Sequence, residues 1–383
     1  MAMWTTRIQE KSKQHLMAIM LLLFFVSEAI SKYGIRVEGG KSDIPRYIKF
    51  AVYIVLTFGL WRKTKSLIAP LVLAVIFCVG QIFLANGFNQ EMVVSFSKLL
   101  FPIFLLIYFN HYPIGENERK SLFQVFEALL ILNGVFIFVG FIWEIPMFRS
   151  YFGERFGYNG LFITSATSSY VYAVAIFYFL LKLKRDFLKS WKTYFVIACA
   201  IFTGTKILYI ALIASLFIYL ICFVNFSKQQ RKLIFFVIMA ACAAIAYFFF
   251  FEFGIFNQIR QNEGLLSAIL SYRDDLFMEQ TLPFIKENWS WANYLFGGIS
   301  ELSVRSQMGF IDVFLFWGIL GGLYYLFTFY KSFVTFHIDK SGIYIILSLG
   351  LMVFLAGNFF ENASVAIYLL ILKEKLLDKT VFY

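Results

Sequence analysis

Twelve long apolar runs, most of them parted by short polar or basic loops, leave this chain one class of fold. They lie near residues 15–31, 47–61, 66–85, 92–110, 121–143, 166–181, 193–203, 207–226, 233–251, 307–328, 341–357 and 361–373. Hydrocarbon offers no partner to a backbone N–H or C=O, so a run that crosses its ~30 Å must satisfy those groups internally, as a helix does. A membrane β-barrel would alternate apolar and polar positions, and these runs do not. With 60% hydrophobic and only 15% charged residues, a soluble domain of this size could not cover its apolar surface. The expectation is an all-α polytopic integral membrane protein of about twelve transmembrane helices. It forms one membrane domain over residues 1–383, with two large external loops at 144–165 and 252–305.

The split between the seventh and eighth runs falls at Thr203-Gly204-Thr205-Lys206, because 193–226 is too long for one crossing and a glycine beside a cation reads as a turn. Orientation comes from the basic residues. The formal charge is +11, but the Lys and Arg side chains sit in loops, which is a topology signal rather than a nucleic-acid footprint. Arg7, Lys11 and Lys13, the 61–65 and 182–192 loops, 227–232 and the Lys373/Lys375/Lys379 tail share one side, the cytoplasmic one by the positive-inside rule. The 32–46 loop, which is basic yet external, is an exception. The N-terminal segment is read as a retained first helix, since no small-residue cleavage site follows it. Cys78, Cys199, Cys222 and Cys242 all fall within apolar runs without metal spacing, so buried thiols are expected and no metal or cofactor is implied.

The 252–305 loop is too polar for lipid and too organised for a plain connector. It holds Arg260, Ser271-Tyr272-Arg273-Asp274-Asp275, Lys286, Trp289, Trp291 and Tyr294, with an amphipathic helix expected over 258–268. Arg149 and Arg155 in the first large loop, Lys206 at the turn and Arg273 lie at one depth. Arginine presents a planar donor fork that suits phosphate oxygens, and the natural anionic ligand there is a lipid-linked diphosphate. Pairing with Glu154, Asp274 and Asp275 or with lipid headgroups is the competing account. Lys98, inside the fourth run, is costly in lipid unless it is used, paired or snorkels outward. Glu28 reads as a structural partner for an outer-loop cation. Tyr151, Tyr158, Trp289, Trp291 and Tyr294 could stack on sugar rings or anchor at the headgroups.

The order Arg155-Phe156-Gly157-Tyr158-Asn159-Gly160, Thr203-Gly204-Thr205-Lys206, Ser271-Tyr272-Arg273, Leu295-Phe296-Gly297-Gly298 and Asp312 ahead of Gly318-Ile319-Leu320-Gly321 resembles the O-antigen polymerase and O-antigen ligase superfamily over about residues 150–325. The resemblance implies a metal-independent, inverting glycosyltransferase of GT-C-like architecture, acting at the periplasmic face of the bacterial inner membrane. Lys206 and Arg273 would hold the diphosphate of an undecaprenyl-diphosphate-linked oligosaccharide, with Arg149, Arg155, Tyr158, Lys98 and Glu301 around the substrate. The ligase branch uses an external histidine, whereas His15, His111 and His337 fall on the cytoplasmic side. That favours a polymerase, with Asp312 as the expected proton acceptor and Glu301 nearby. Expected partners are the lipid-linked donor and acceptor and membrane lipids, not nucleic acid, and a chain-length regulator protein stays open. Two other readings stay open: a ligase transferring glycan to lipid A core, and a transporter or flippase of lipid-linked sugars, which would distribute polar residues along a central path. A mobile lid is expected of the 252–305 loop.

Overall fold

The computed structural model describes residues 15–378 except 41, 86–88, 90, 154 and 253; Arg7, Lys11, Lys13, Glu154 and Lys379 lie outside the described residues. Each apolar run is a helix. These are α1 Leu16–Tyr33, α2 Ile44–Leu60, α3 Thr64–Ile82, α4 Glu91–His111, α5 Glu116–Ile142, α6 Ser165–Leu183, α7 Trp191–Thr203, α8 Lys206–Cys222 and α9 Lys228–Tyr247, then α15 Gly309–Phe333, α16 Lys340–Leu355 and α17 Ala363–Asp378. Between α9 and α15 come five short pieces: α10 Gly254–Glu263, α11 Leu265–Leu270, α12 Arg273–Leu276, α13 Leu282–Asn288 and α14 Trp291–Phe296. The described residues contain no strand beyond an isolated bridge between Arg149 and Tyr158. Seven helices are long and apolar enough to cross a membrane by length and composition, and α7, α8 and α16 are shorter apolar helices.

α6 and α17 form the centre. Tyr170 to Leu181 on α6 and Val365 to Leu372 on α17 are buried without a break, as expected of helices apolar on every side that are enclosed by others. α9 is just as apolar but has no buried residue among those described, so it stands at the periphery.

Polar ties fix the two ends of the bundle. At one end, Glu127 accepts from Lys182, from Lys192 at 2.7 Å and from the Tyr178 hydroxyl at 2.7 Å, and Arg119 pairs with Glu374 at 3.1 Å. The opposite end gathers the 144–165 and 252–305 loops with the α7–α8 turn and the starts of α15 and α17. Glu28 is one of its fasteners: it accepts from Lys49 at 3.4 Å, from the Ile163 amide at 3.2 Å and from Ser364 at 2.5 Å. It is a structural partner as expected, but its cation, Lys49, lies on α2 and not in the outer loop.

Three expectations are corrected. The helix expected over 258–268 breaks at Gly264, whose φ of +96° no other residue adopts readily. The tenth run is not one straight span: at Gly318 (φ +68°, ψ −172°) α15 turns into a 309–317 part and a 319–333 part, with the Phe314 ring in the corner beside Gly322. The longer part covers only about 22 Å. The turn follows from a backbone contact, since Gly297 of the loop lies against Gly318 and neither position has room for a Cβ. The Gly298 amide donates to the Leu315 carbonyl at 3.3 Å, and the Asn293 side chain donates to the Gly80 carbonyl at 2.8 Å, so α14 is clamped between α3 and the corner of α15. Of the thiols, Cys199 is buried and Cys222 half-buried, but Cys78 is exposed on the outer face of α3.

Candidate functional site

The first feature of the loop end is the α7–α8 turn. α7 stops at Thr203 because Gly204 takes the left-handed conformation (φ +69°), and α8 restarts at Lys206. The first large loop docks on this turn through its backbone. Tyr158 donates its amide to the Phe202 carbonyl at 2.7 Å and Ser150 its hydroxyl to the Thr203 carbonyl at 3.0 Å. On the other side, Ser169 of α6 shares a 2.7 Å hydrogen bond with Thr205. Lys206 is therefore fixed at the rim of the bundle.

Lys206 donates to the Ile269 carbonyl and, at 2.8 Å, to the Ser271 hydroxyl, which ties the second large loop to the same turn. Ser271 and Tyr272 both have positive φ (+55° and +63°). Two adjacent non-glycine residues in that region cost on the order of 1–3 kcal/mol each and persist only where the surroundings enforce them. Their effect is to reverse the chain between α11 and α12 and aim Arg273 inward. The Arg273 Nη1 donates to the Leu270 carbonyl at 3.2 Å and to the Leu355 carbonyl, at the end of α16, at 2.9 Å; its buried Nε has no partner. Burial draws the Arg273 guanidinium below its ordinary pKa, and Arg155 reinforces that against the opposing pull of Tyr170, Tyr151 and Asp312. Arg155 stacks on the Tyr151 ring at 3.9 Å, and both it and Arg273 are within electrostatic reach of Lys206. Among the described residues, none of these three cations forms an ion pair. Asp274 is close enough for Lys206 to feel its field, but its hydrogen bond is to Ser267 at 2.6 Å.

A second polar cluster lies across the segment that joins α16 to α17. Arg305 is forked between Glu361 (2.5 Å) and Asp312 (2.8 Å), and the Ser306 hydroxyl donates to the other Asp312 oxygen at 2.9 Å. Both Asp312 oxygens are thus engaged. A cavity of about 10 Å³, room for roughly one water, is lined by Leu99, Arg305, Asp312 and Glu361 among others. Burial raises the Glu361 carboxyl above the usual glutamate range despite the opposing pull of Arg305. Arg273 reaches Leu355 and Arg305 reaches Glu361, so at most about 20 Å of chain separates the two clusters. The Tyr170 hydroxyl braces that chain by donating to Ala356 and Gly357, at 3.1 and 3.4 Å.

Of the residues singled out from sequence, Lys206, Arg155 and Arg273 come together and Asp312 joins the neighbouring cluster. Lys98 is exposed on α4, within electrostatic reach of Glu361 and Arg305. Arg149 sits elsewhere, its carbonyl accepting from Arg36 at 3.2 Å, and no contact among the described residues joins it to Lys206 or Arg273. Tyr158 is 6% exposed and packed edge-on against Phe141 and Phe156, so it supports the first loop and has no face free for a sugar. Glu301 is exposed and forms no ion pair among the described residues. Trp289 donates to the Gly298 carbonyl at 2.9 Å and holds the α14 turn, while Trp291 is 73% exposed. Arg305 and Glu361 escaped the sequence reading. A charged residue directly ahead of an apolar run, at the end of the large loop for Arg305 and in a short connection for Glu361, was the available signal.

No family model matches the chain, and neither a curated protein nor a solved structure matches it.

Proposed function

We propose that this chain is a polysaccharide polymerase of twelve spans and GT-C-like architecture in a bacterial inner membrane, with both termini cytoplasmic and the loop end periplasmic. It transfers a growing glycan from undecaprenyl diphosphate to the non-reducing end of a new lipid-linked repeat unit. The observation that carries this reading is the convergence of Lys206, Arg155 and Arg273, from three separate segments, on one half-buried site where none has a carboxylate partner among the described residues. Like charges gathered without counter-ions are costly, and a diphosphate would repay that cost.

In this reading the acceptor hydroxyl attacks the anomeric carbon while the bond from that carbon to the phosphate oxygen breaks. The leaving diphosphate gathers charge, and fixed cations in a site shielded from water stabilise it most at that moment. The hydroxyl proton passes to a carboxylate of the Arg305 cluster. Asp312 has both oxygens occupied, so Glu361 is the better placed acceptor and Asp312 helps to orient Arg305.

The test is deletion of the gene and complementation with Lys206→Ala and Arg273→Ala, scored by the length ladder of surface polysaccharide. Loss of the ladder with a single repeat unit left on the core supports a polymerase. Normal ladders from well-expressed variants would overturn the diphosphate site.

A further inference from the structure

An apolar cavity of about 260 Å³ opens beneath the two polar clusters, between the 319–333 part of α15, α16 and the segment before α17. Phe310, Phe329, Phe333, Gly350, Val353 and Phe360 are among its walls. Its lining is almost wholly apolar, so it is not a water site. Gly350 marks its open side: a Cβ there would meet no atom within 4 Å. From Ile346 to Val353 it follows α16 for about 10 Å.

Its upper end is where the charges are. Phe359 and Phe360 line both this cavity and the small polar one above it. Phe360 precedes Glu361, which holds Arg305, and Val353 lies two residues before Leu355, whose carbonyl holds Arg273. Asp312 and Glu361 already pair with Arg305, so the cations open to a headgroup above the groove are those on the Leu355 side, Arg273 and, beside it, Lys206. Phe310 and Phe329 both pack on Phe360, with ring centroids 5.9 and 5.2 Å away, so the opening is narrow and flanked by aromatic rings.

We propose that this groove holds the first isoprene units of a polyprenyl diphosphate and so sets the depth at which its diphosphate meets Arg273 and Lys206. The inference rests on the diphosphate reading above and adds the path of the lipid. A single chain under a diphosphate matches one narrow groove that ends beside the backbone holding Arg273, whereas a phospholipid brings two chains. In a bilayer the lipid tails outside are as apolar as the groove, so confinement there adds position more than affinity.

The full-length protein in nanodiscs is labelled with a polyprenyl diphosphate carrying a photoreactive group on its first isoprene unit, and the modified peptides are mapped by mass spectrometry. Labelling of the 326–334 and 346–353 stretches, competed by unlabelled undecaprenyl diphosphate and lost in Gly350→Phe and in the milder Gly350→Leu, is the expected result. Labelling that persists in both variants, or that falls on other helices, overturns the groove; if it still disappears in Arg273→Ala, the cation site stands. Equal competition by a phospholipid also overturns it, assigning the groove to acyl chains. Labelling in the groove that survives the combined Lys206→Ala and Arg273→Ala change supports the groove and counts against the diphosphate site.

Discussion

Gly204 lies so close to Gly157 that a Cβ on Gly204 would stand 3.0 Å from the Gly157 Cα and 2.6 Å from the Phe156 carbonyl oxygen. This contact sets the loop carrying Arg155 against the turn carrying Lys206. Both glycines also have positive φ, +149° at Gly157 and +69° at Gly204. Gly204→Ala is expected to cost about 1–3 kcal/mol through crowding and strain and to separate the two cations. Loss of activity beyond the loss of thermal stability, with Gly115→Ala unchanged because its Cβ would meet nothing within 4 Å, checks this.

Lys206 and Arg273 are expected to bind the leaving diphosphate in different ways. Lys206 is a point charge that also holds the second loop through Ile269 and Ser271. Arg273→Lys keeps the charge but loses the fork. It is expected to bind polyprenyl diphosphate within about tenfold of the native protein while turnover drops by about 10²-fold, in line with loss of a preorganised donor. Weaker binding with turnover at saturating substrate unchanged would show that Arg273 acts on the bound ground state alone. Binding by native mass spectrometry and turnover by product analysis separate the two.

The pH dependence follows from Glu361. Its pKa is raised in the folded protein by burial, so it takes up a proton at a pH where an ordinary glutamate would still be charged. As pH falls through that raised pKa, Glu361 becomes neutral, its pairing with Arg305 is lost and it can no longer accept the hydroxyl proton. Activity is expected to fall on the acid side with an inflection above the normal glutamate range. In Glu361→Gln the activity left should be low and free of that limb. An unchanged acid limb in Glu361→Gln would assign it to another group.

Gly297 and Gly318 make the bend in α15, so replacing either with alanine is expected to straighten or unseat the 309–317 part and disturb Asp312 upon it. The expected readout is lower thermal stability together with lower activity. Trp291→Ala, at the start of α14, which ends just before Gly297, but 73% exposed, is expected to stay within about 0.5 kcal/mol of the native stability.

The legible part of this structure is what depends on local pattern. Each apolar run is a helix, and the glycine beside Lys206 marks the turn, because run length and a left-handed glycine are written in neighbouring residues. The bend at Gly318 was hidden: a lone glycine in an apolar run is ordinarily tolerated, and its conformation is dictated by Gly297, which comes 21 residues earlier in the chain. Arg305 and Glu361, 56 residues apart, are unremarkable singly and form a cluster only once the fold brings two connections together. Tyr158 shows the opposite failure, since an aromatic residue in a polar loop looked available and proved to be packing. Within the 252–305 loop, α14 is clamped through Asn293 and Gly297, and α11 is tied to the α7–α8 turn through the Lys206 contacts.

The central claim is that the Lys206–Arg155–Arg273 site drives glycosyl transfer from a polyprenyl diphosphate. Its most direct test is the purified protein reconstituted in vesicles with one lipid-linked repeat unit as both donor and acceptor, with products read by mass spectrometry. The account predicts lipid-linked oligomers of increasing length with free polyprenyl diphosphate released in step, and neither with Arg273→Ala. Repeat units that only change leaflet, or oligomers formed equally well by Arg273→Ala, would contradict it.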